Sequence, residues 1–413
     1  MRSFFIFALL LVFIFCSENK FEIERAGEST LNIHGLPTLP EMVTLECSIG
    51  GEDFSDLRFI LAAPMEAKIT MHGDILIFDE FSIKVLDEYG NPKKIMGGRG
   101  EGPGEFLKPP TIMISPFDYF TVIEPASMNT FFYTIYDREN TFLNEFRFRC
   151  SSQLENFLIS KDLSWDDFHS AQWLMAPDSA SLMYSITLCK EGPVYYKLIA
   201  YEDNLRVYPI YFGTNKQHFV YKNRSTVSSF FNEYRTFFLP NNRVLFYDSS
   251  ENTFESENKG TVTFHIISLP AMQRKTYTVH VESRPRNNID DFVDYSSRSR
   301  LRIRGEIDRE YYEQMRKYLN TYRHSYVLTY ILPDYAYQYL LFFTAKRDDE
   351  GNRYVKVFDI EQEKFISDFY WPFGGAPPDW INDGSVIINA VDSTGFPVVR
   401  KYKLNPSVYE NMK

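Results

Sequence analysis

Chemistry is first suggested by Gly97-Gly98-Arg99-Gly100-Glu101-Gly102-Pro103-Gly104-Glu105-Phe106, a run holding five glycines, one guanidinium and two carboxylates. Glycine-rich loops cradle phosphates when their amides open a helix N-terminus and a Gly-Lys-Ser/Thr closes the loop. Here no such ending occurs, Pro109 and Pro110 forbid an immediate helix, and Glu101 and Glu105 would repel phosphate. The run reads instead as a connection, because glycine takes positive φ and proline offers no amide hydrogen. Arg99, Glu101 and Glu105 are its candidate ligand contacts; the structural reading of Arg99 is a tie between neighbouring loops.

A second loop echoes the first: Trp371-Pro372-Phe373-Gly374-Gly375-Ala376-Pro377-Pro378-Asp379-Trp380. Trp371 and Trp380 could stack on a sugar ring or a peptide, since an indole offers a large apolar face with a polar edge. The alternative is that they plug a gap between sheets. His34, His72, His169, His218, His265, His280 and His324 lack the close pairing of a local zinc site. Asp166-Asp167 beside His169 would suit a ligand or acid/base pair, but the favoured reading is a turn of solvated charges. Asp348-Asp349-Glu350 precedes Gly351-Asn352 and reads as a hairpin turn. No Gly-x-Ser-x-Gly elbow or calcium-binding EF-hand loop is present. No catalytic residue is assigned, and no cofactor is evident; calcium is the ion left open.

The elements that must position these residues are strands. Of 413 residues 17% are aromatic, mostly Phe and Tyr, which favours sheet over helix. The net charge of −11 gives no general attraction to nucleic acid or anionic lipid. Lys68–Met71, Ile75–Asp79, Ile83–Asp87 and Lys94–Met96 are short β-rich runs separated by turn residues, forming one antiparallel meander. A phrase from such a meander, an apolar pair, usually an acid, a polar turn and another apolar run, recurs along the chain. It stands at Val85-Leu86-Asp87, Ile135-Tyr136-Asp137, Ala200-Tyr201-Glu202, Ile266-Ile267-Ser268, Val357-Phe358-Asp359 and finally Lys401-Tyr402-Lys403-Leu404.

Repetition at roughly 40 to 50 residues is the mark of a propeller. The fold class expected is therefore all-β, a six-bladed β-propeller over 42–413 with a helical insertion late in the chain. The acids that open the turns, Asp87, Asp137 and Asp359, accept amide hydrogens there and carry structure rather than catalysis. Met42 to Leu61 has strand character without a blade of its own, and pairing it into the last blade would remove two open sheet edges. The spacing of the copies is uneven, and the longest surplus, about 281–325, is rich in arginine. Within it Asp308 could cap a helix from about Arg309 to Tyr322 whose stripe of Tyr311, Tyr312, Met315, Tyr318, Leu319 and Tyr322 packs on the propeller. Its arginines alternate with acids, as on a solvated face, or offer a face to an anionic ligand.

Met1-Arg2-Ser3 and the apolar run Phe4 to Phe15 read as an export signal too short to span a membrane. Cys16 after this run, followed by Ser17-Glu18-Asn19-Lys20, resembles a bacterial lipoprotein signal over 1–16, with 17–41 as a polar tether. Phe15 departs from the small residue such signals carry, so simple secretion and an uncleaved anchor are the alternatives. The other cysteines, Cys47, Cys150 and Cys189, are odd in number and far apart, which points to free thiols rather than a disulfide framework.

The phrase from Gly73-Asp74-Ile75-Leu76-Ile77-Phe78-Asp79 through Ile83-Lys84-Val85-Leu86-Asp87 and Gly90 to the glycine loop resembles an NHL-type blade. With the Cys-containing signal and the late helical insertion, the chain resembles the six-bladed β-propeller lipoproteins of gut-type bacteria. That resemblance implies a location at the cell envelope, anchored through Cys16 and facing periplasm or surface, or soluble in the periplasm if unlipidated. It carries no assigned activity; with no catalytic constellation visible, the expected role is binding or scaffolding toward an envelope protein, peptide or glycan, and the net charge of −11 speaks against a nucleic-acid partner. The rival expectation is a metal-dependent hydrolase, lactonase or lyase whose central channel holds calcium or zinc through groups from several blades. Arg99 would then point at that channel.

Overall fold

The computed structural model describes residues 42–410, apart from 51–55, 103, 116–118, 128–129, 148–151, 163–167, 176–181, 190–193, 202–207, 215–217, 223, 228–233, 257–258, 283–308, 322–327, 335, 337, 374–377 and 379. The export signal, Cys16, the tether, Asp166-Asp167 and most of 281–325 lie outside the described residues. No helix among the described residues is long and apolar enough to cross a membrane.

Strand β1 (Val43–Gly50) precedes a first antiparallel meander, β2 (Pro64–Ile69), β3 (Ile75–Asp79), β4 (Ser82–Leu86) and β5 (Pro92–Gly97). A second follows as β6 (Thr111–Ile114), β7 (Phe120–Ser127), β8 (Thr130–Tyr136) and β9 (Phe142–Arg147). After helix α1 (Ser152–Ser160) comes the third, β10 (Phe168–Met175), β11 (Leu182–Cys189), β12 (Val194–Tyr201) and β13 (Tyr208–Thr214). A separate hairpin, β14 (His218–Tyr221) and β15 (Arg224–Val227), leads to the fourth. This one comprises β16 (Tyr234–Leu239), β17 (Arg243–Asp248), β19 (Lys259–Ser268) and β20 (Gln273–Val281), with β18 (Thr253–Ser256) prolonging β17 along the edge of β19. Beyond helix α2 (Arg309–Thr321) lie β21 (Leu328–Asp334), β22 (Tyr339–Arg347), β23 (Arg353–Asp359) and β24 (Lys364–Tyr370), the fifth. The last meander is β25 (Ile381–Asn382), β26 (Ser385–Val391) and β27 (Pro397–Leu404), followed by helix α3 (Ser407–Glu410).

Repeated antiparallel meanders with few helices give a fold of the β-propeller type. Its cores lie between consecutive sheets rather than inside one. Phe78 and Val85 pack with Ile112 and Phe120 across the first and second meanders. Ile210 meets Phe238 and Phe246 across the third and fourth. Leu245 and Phe264 meet Leu340 and Phe358 across the fourth and fifth, and Phe343 and Val355 meet Val386 and Leu404 across the fifth and last. The series returns on itself, since Val399 of β27 and Ile49 of β1 pack with Ile75 and Ile77 of β3.

Closure comes from the N-terminal strand. β1 pairs antiparallel with β27 from Val43↔Leu404 to Gly50↔Val398, so the first described strand completes the last sheet, as the strand character of Met42 to Leu61 suggested. Gly50 sits at φ +109°, and a Cβ there would stand 2.6 Å from the Pro397 carbonyl oxygen. The turn acids behave as read: Asp87 accepts from Tyr89 and Asn91 amides, Asp137 from Thr141, and Asp359 from Glu361 and Gln362. Asp348 holds its hairpin through the Glu350 and Asn352 amides.

Polar ties cross between neighbouring sheets. The Lys94 ammonium reaches the Asn140 carbonyl, and the Asn140 amide reaches Asp74 at 2.8 Å. Arg274 donates to the Ile210 carbonyl at 2.8 Å, Arg243 to Ile360 at 3.0 Å, and Lys401 to Glu88 at 2.9 Å. Asp334 at the end of β21 accepts from the Asp383 and Gly384 amides, at 2.9 and 2.7 Å, and from the Tyr409 hydroxyl at 3.1 Å. Its carboxyl is fully buried, and burial pushes its pKa up to about 6.

Two outcomes follow. Gly50→Ala meets both a left-handed backbone and a carbonyl, so urea unfolding should show a loss of about 2 kcal/mol or more. Asp334 titrates near 6 when folded and near 3.8 when unfolded, so its contribution is full below pH 3.8 and is lost as pH rises through 6. Relative to Asp334→Asn, the parent should lose about 2.5 kcal/mol of unfolding free energy between pH 4 and pH 7; a pH-independent difference would refute this.

Candidate functional site

The glycine loop is built around Phe106. Its ring is buried against Phe78 in edge-on contact at 6.4 Å, and its amide donates to the Gly98 carbonyl at 2.7 Å. Gly97 lies under that ring: at φ +77° an added Cβ would fall 2.3 Å from it. Glu105 folds back onto its own loop, accepting from the Gly102 amide at 2.8 Å, and its carboxylate occupies the space a side chain at Gly100 would need. The Arg99 guanidinium lies over the Phe81 ring at 5.2 Å, tying the loop to the β3–β4 turn, while Glu101 is exposed. The three candidates do not converge on a shared ligand position. The glycines serve loop closure and the seating of Phe106.

The two tryptophans part company as well. Trp371 is fully buried among Phe343 at 5.1 Å, Phe373 at 5.3 Å and the core shared by the fifth and last meanders. With no exposed face it cannot stack on a ligand, which corrects that expectation in favour of the plug. Trp380 is half-buried and donates its indole N–H to the Ile69 carbonyl at 2.9 Å, joining the last meander to the first. The stripe on α2 also has a different partner from the one expected. Tyr311, Tyr312, Met315 and Leu319 pack around Phe219 of the β14–β15 hairpin, and Glu310 binds the Tyr221 hydroxyl and Lys222.

What sequence reasoning missed is a groove of about 230 Å³ where the fourth and fifth meanders meet, lined by Lys259, His280, Val281, Glu282, Lys346, Tyr354 and Lys356. One wall is the tip of the fourth meander: Lys259 opens β19, and His280 and Val281 close β20. The other wall comes from β22 and β23. Tyr354 and Lys356, two residues apart, share one face of β23. The β22–β23 register shifts between Phe343 and Arg347, a bulge that re-aims Lys346. Within it Thr344 donates to the Tyr354 carbonyl at 3.0 Å.

Tyr354 gathers the cations. The Lys346 and Lys356 ammonium groups lie 4.7 and 5.4 Å from its ring centroid. Lys346 pairs with Glu282 at 2.9 Å, Lys356 with Asp368 at 3.6 Å, and Lys259 with Glu255 at 2.8 Å. The hydrogen bond that the Lys346 ammonium donates to Glu282 holds its pKa above its ordinary range. Burial, with the Asp368 carboxylate beside it, raises the Tyr354 phenol well beyond its usual value, so it remains a neutral donor. Three lysines and one glutamate line the groove itself, while Asp368 and Glu255, the carboxylates that pair with Lys356 and Lys259, stand outside the lining. Among the described residues no three His, Cys, Asp or Glu side chains gather in a metal-binding arrangement. His265 is placed elsewhere, between Glu251 at 2.6 Å and Thr276 at 2.9 Å on the fourth meander.

No protein-family model matches the sequence, and no curated protein matches it. Among solved structures the chain is similar to the Neurospora crassa Pan2 WD40 domain, at 8% identity and a TM-score of 0.34, with 91% of this chain and 99% of that chain covered. It is also similar to a neuraminidase-like protein of a flat-faced bat isolate, at 7% identity and 0.35, covering 88% and 96%. A protein of unknown function from Bacteroides caccae matches at 11% identity and 0.32, covering 74% and 80%. Similarity at this level transfers no activity, ligand or partner.

The loop geometry separates anchor from ornament. Phe106→Ala should cost about 3–5 kcal/mol in chemical denaturation because it empties a core site. Arg99→Ala and Glu101→Ala should each stay within about 0.5 kcal/mol of the parent.

Proposed function

We propose that the protein is a six-bladed propeller acting as a binding or scaffolding module of the bacterial cell envelope, held there through lipidated Cys16, with its ligand seated in the groove between the fourth and fifth blades. The count of six is supported by the meanders themselves: five are continuous in sequence, and the last takes β1 as its outer strand. The single parallel bridge Asp334↔Ile381 is then a link between two blades rather than part of one larger sheet. The 281–325 region, with α2 inside it, is an insertion between the fourth and fifth blades.

One observation carries the binding reading. Charged and aromatic side chains from two blades converge on a concave space of about 230 Å³, whereas the glycine loop and Trp371 are engaged in packing. In a four-stranded meander the outer strand ends on the side where the inner strand began. The tip of β20, the end of β22 and the start of β23 therefore share the face that carries the connections between blades, including the glycine loop. A partner peptide or glycan approaching that face meets the groove without entering the channel.

The test is the melting temperature of the purified full chain against a panel of neutral and acidic oligosaccharides, peptidoglycan fragments and peptides. At least one should raise it with concentration, and Tyr354→Ala should abolish the shift while itself folding. A panel without effect, together with a melting point that chelation lowers, would overturn this reading in favour of a metal-dependent channel enzyme.

A further inference from the structure

We infer that the groove between the fourth and fifth meanders is an oxyanion site, taking a small ligand through a carboxylate, sulfate or phosphate group; this rests on the groove being the ligand site proposed above. Its size is the first constraint. At about 230 Å³ it is smaller than the about 300–1,000 Å³ of sites that enclose drug-sized ligands, so it suits one charged headgroup or a single acidic sugar.

Charge is the second constraint. Lys346 and Lys356 come from different strands, and the π-cloud of the Tyr354 ring attracts both ammonium groups, at 4.7 and 5.4 Å from its centroid. Both positive heads are therefore held at one ring before any ligand arrives, which reduces the ordering that anion binding must supply. Lys259 adds a third from the opposite wall.

The existing counter-charges are replaceable. Lys259 and Glu255 are 59% and 38% exposed, and the Lys356–Asp368 contact is long, at 3.6 Å. The exposed pair contributes little and the less exposed one is held only at a long distance, so a multiply charged ligand oxygen cluster can take over their lysines. Glu282 is the one carboxylate on the lining, 52% exposed, and it holds a single ammonium. Lysines rather than arginines line the wall. Ammonium groups act as rotatable point charges that suit oxygens arriving from several directions, without demanding the planar fork geometry of a bidentate guanidinium.

Titration calorimetry of the full chain at low salt, with inorganic phosphate, D-glucuronate and uncharged glucose, tests the assignment. Phosphate or glucuronate should bind saturably and more weakly as salt is raised, and the stronger of the two identifies which oxyanion the site prefers. In a Lys346→Met, Lys356→Met double variant that melts like the parent, binding should weaken by at least about tenfold. A Lys364→Met control, outside the groove, should bind as the parent does. Glucose binding as tightly as glucuronate would overturn the oxyanion assignment while leaving the groove as a ligand site. Absence of binding by both anions, or binding unchanged in the double variant, would overturn the assignment outright, and the oligosaccharide and peptide panel would still judge the binding reading separately.

Discussion

The arrangement depends on one backbone pairing, that of β1 with β27, which gives the last meander its outer strand. It ties the two ends of the described chain into one sheet, and so places Val399 and Ile49 against Ile75 and Ile77, where the first and last meanders pack. Without that strand the first meander would lose an apolar face and the last would lose its outer edge. The backbone accepts an unusual conformation for it: Gly50 runs at φ +109° against the Pro397 carbonyl, where only a residue without Cβ fits.

Polar ties then set the angle between neighbours. Apolar packing alone lets stacked sheets slide, whereas Arg274 on the Ile210 carbonyl, Arg243 on Ile360, Asp334 on the amides of Asp383 and Gly384, and Asn382 on Thr70 join specified points. Ile360, Asp383, Gly384 and Thr70 among them lie in the connections between strands. The buried Asp334 is the costly member, since its ionised form must be held by two amides and a phenol in place of water.

Sequence legibility followed how local each signal was. Five copies of the recurring phrase fall where a third strand ends and the sixth falls in β27, and at Asp87, Asp137 and Asp359 the acid bonds amides two to four residues away and needs no tertiary partner. The helix from Arg309 was legible for the same reason, through its apolar spacing. The glycine loop was legible as a loop and misleading as a site: its composition answers to the Phe106 ring and the Glu105 carboxylate, both of which are packing facts. Trp371 misled similarly, since an aromatic on a Pro/Gly loop looks the same in sequence whether it faces solvent or fills a core. The groove had no local mark at all. Lys259, Lys346 and Lys356 are far apart, and each reads alone as an ordinary surface lysine on a strand end.

The groove forms at this boundary where the apolar contact between the fourth and fifth meanders stops. Both sheets run on past the meeting of Phe264 with Phe342 and Phe358: β19 reaches back to Lys259, β22 on to Arg347 and β23 back to Arg353. What changes is the facing side chains, which become Lys259, His280 and Glu282 on one wall and Lys346, Tyr354 and Lys356 on the other. Long charged side chains lay their stems along the sheets and keep their heads in water, so they do not interdigitate as the rings below them do. A concave, charged site is thus what two strand ends leave between them when the apolar packing that joins their sheets gives way to lysines.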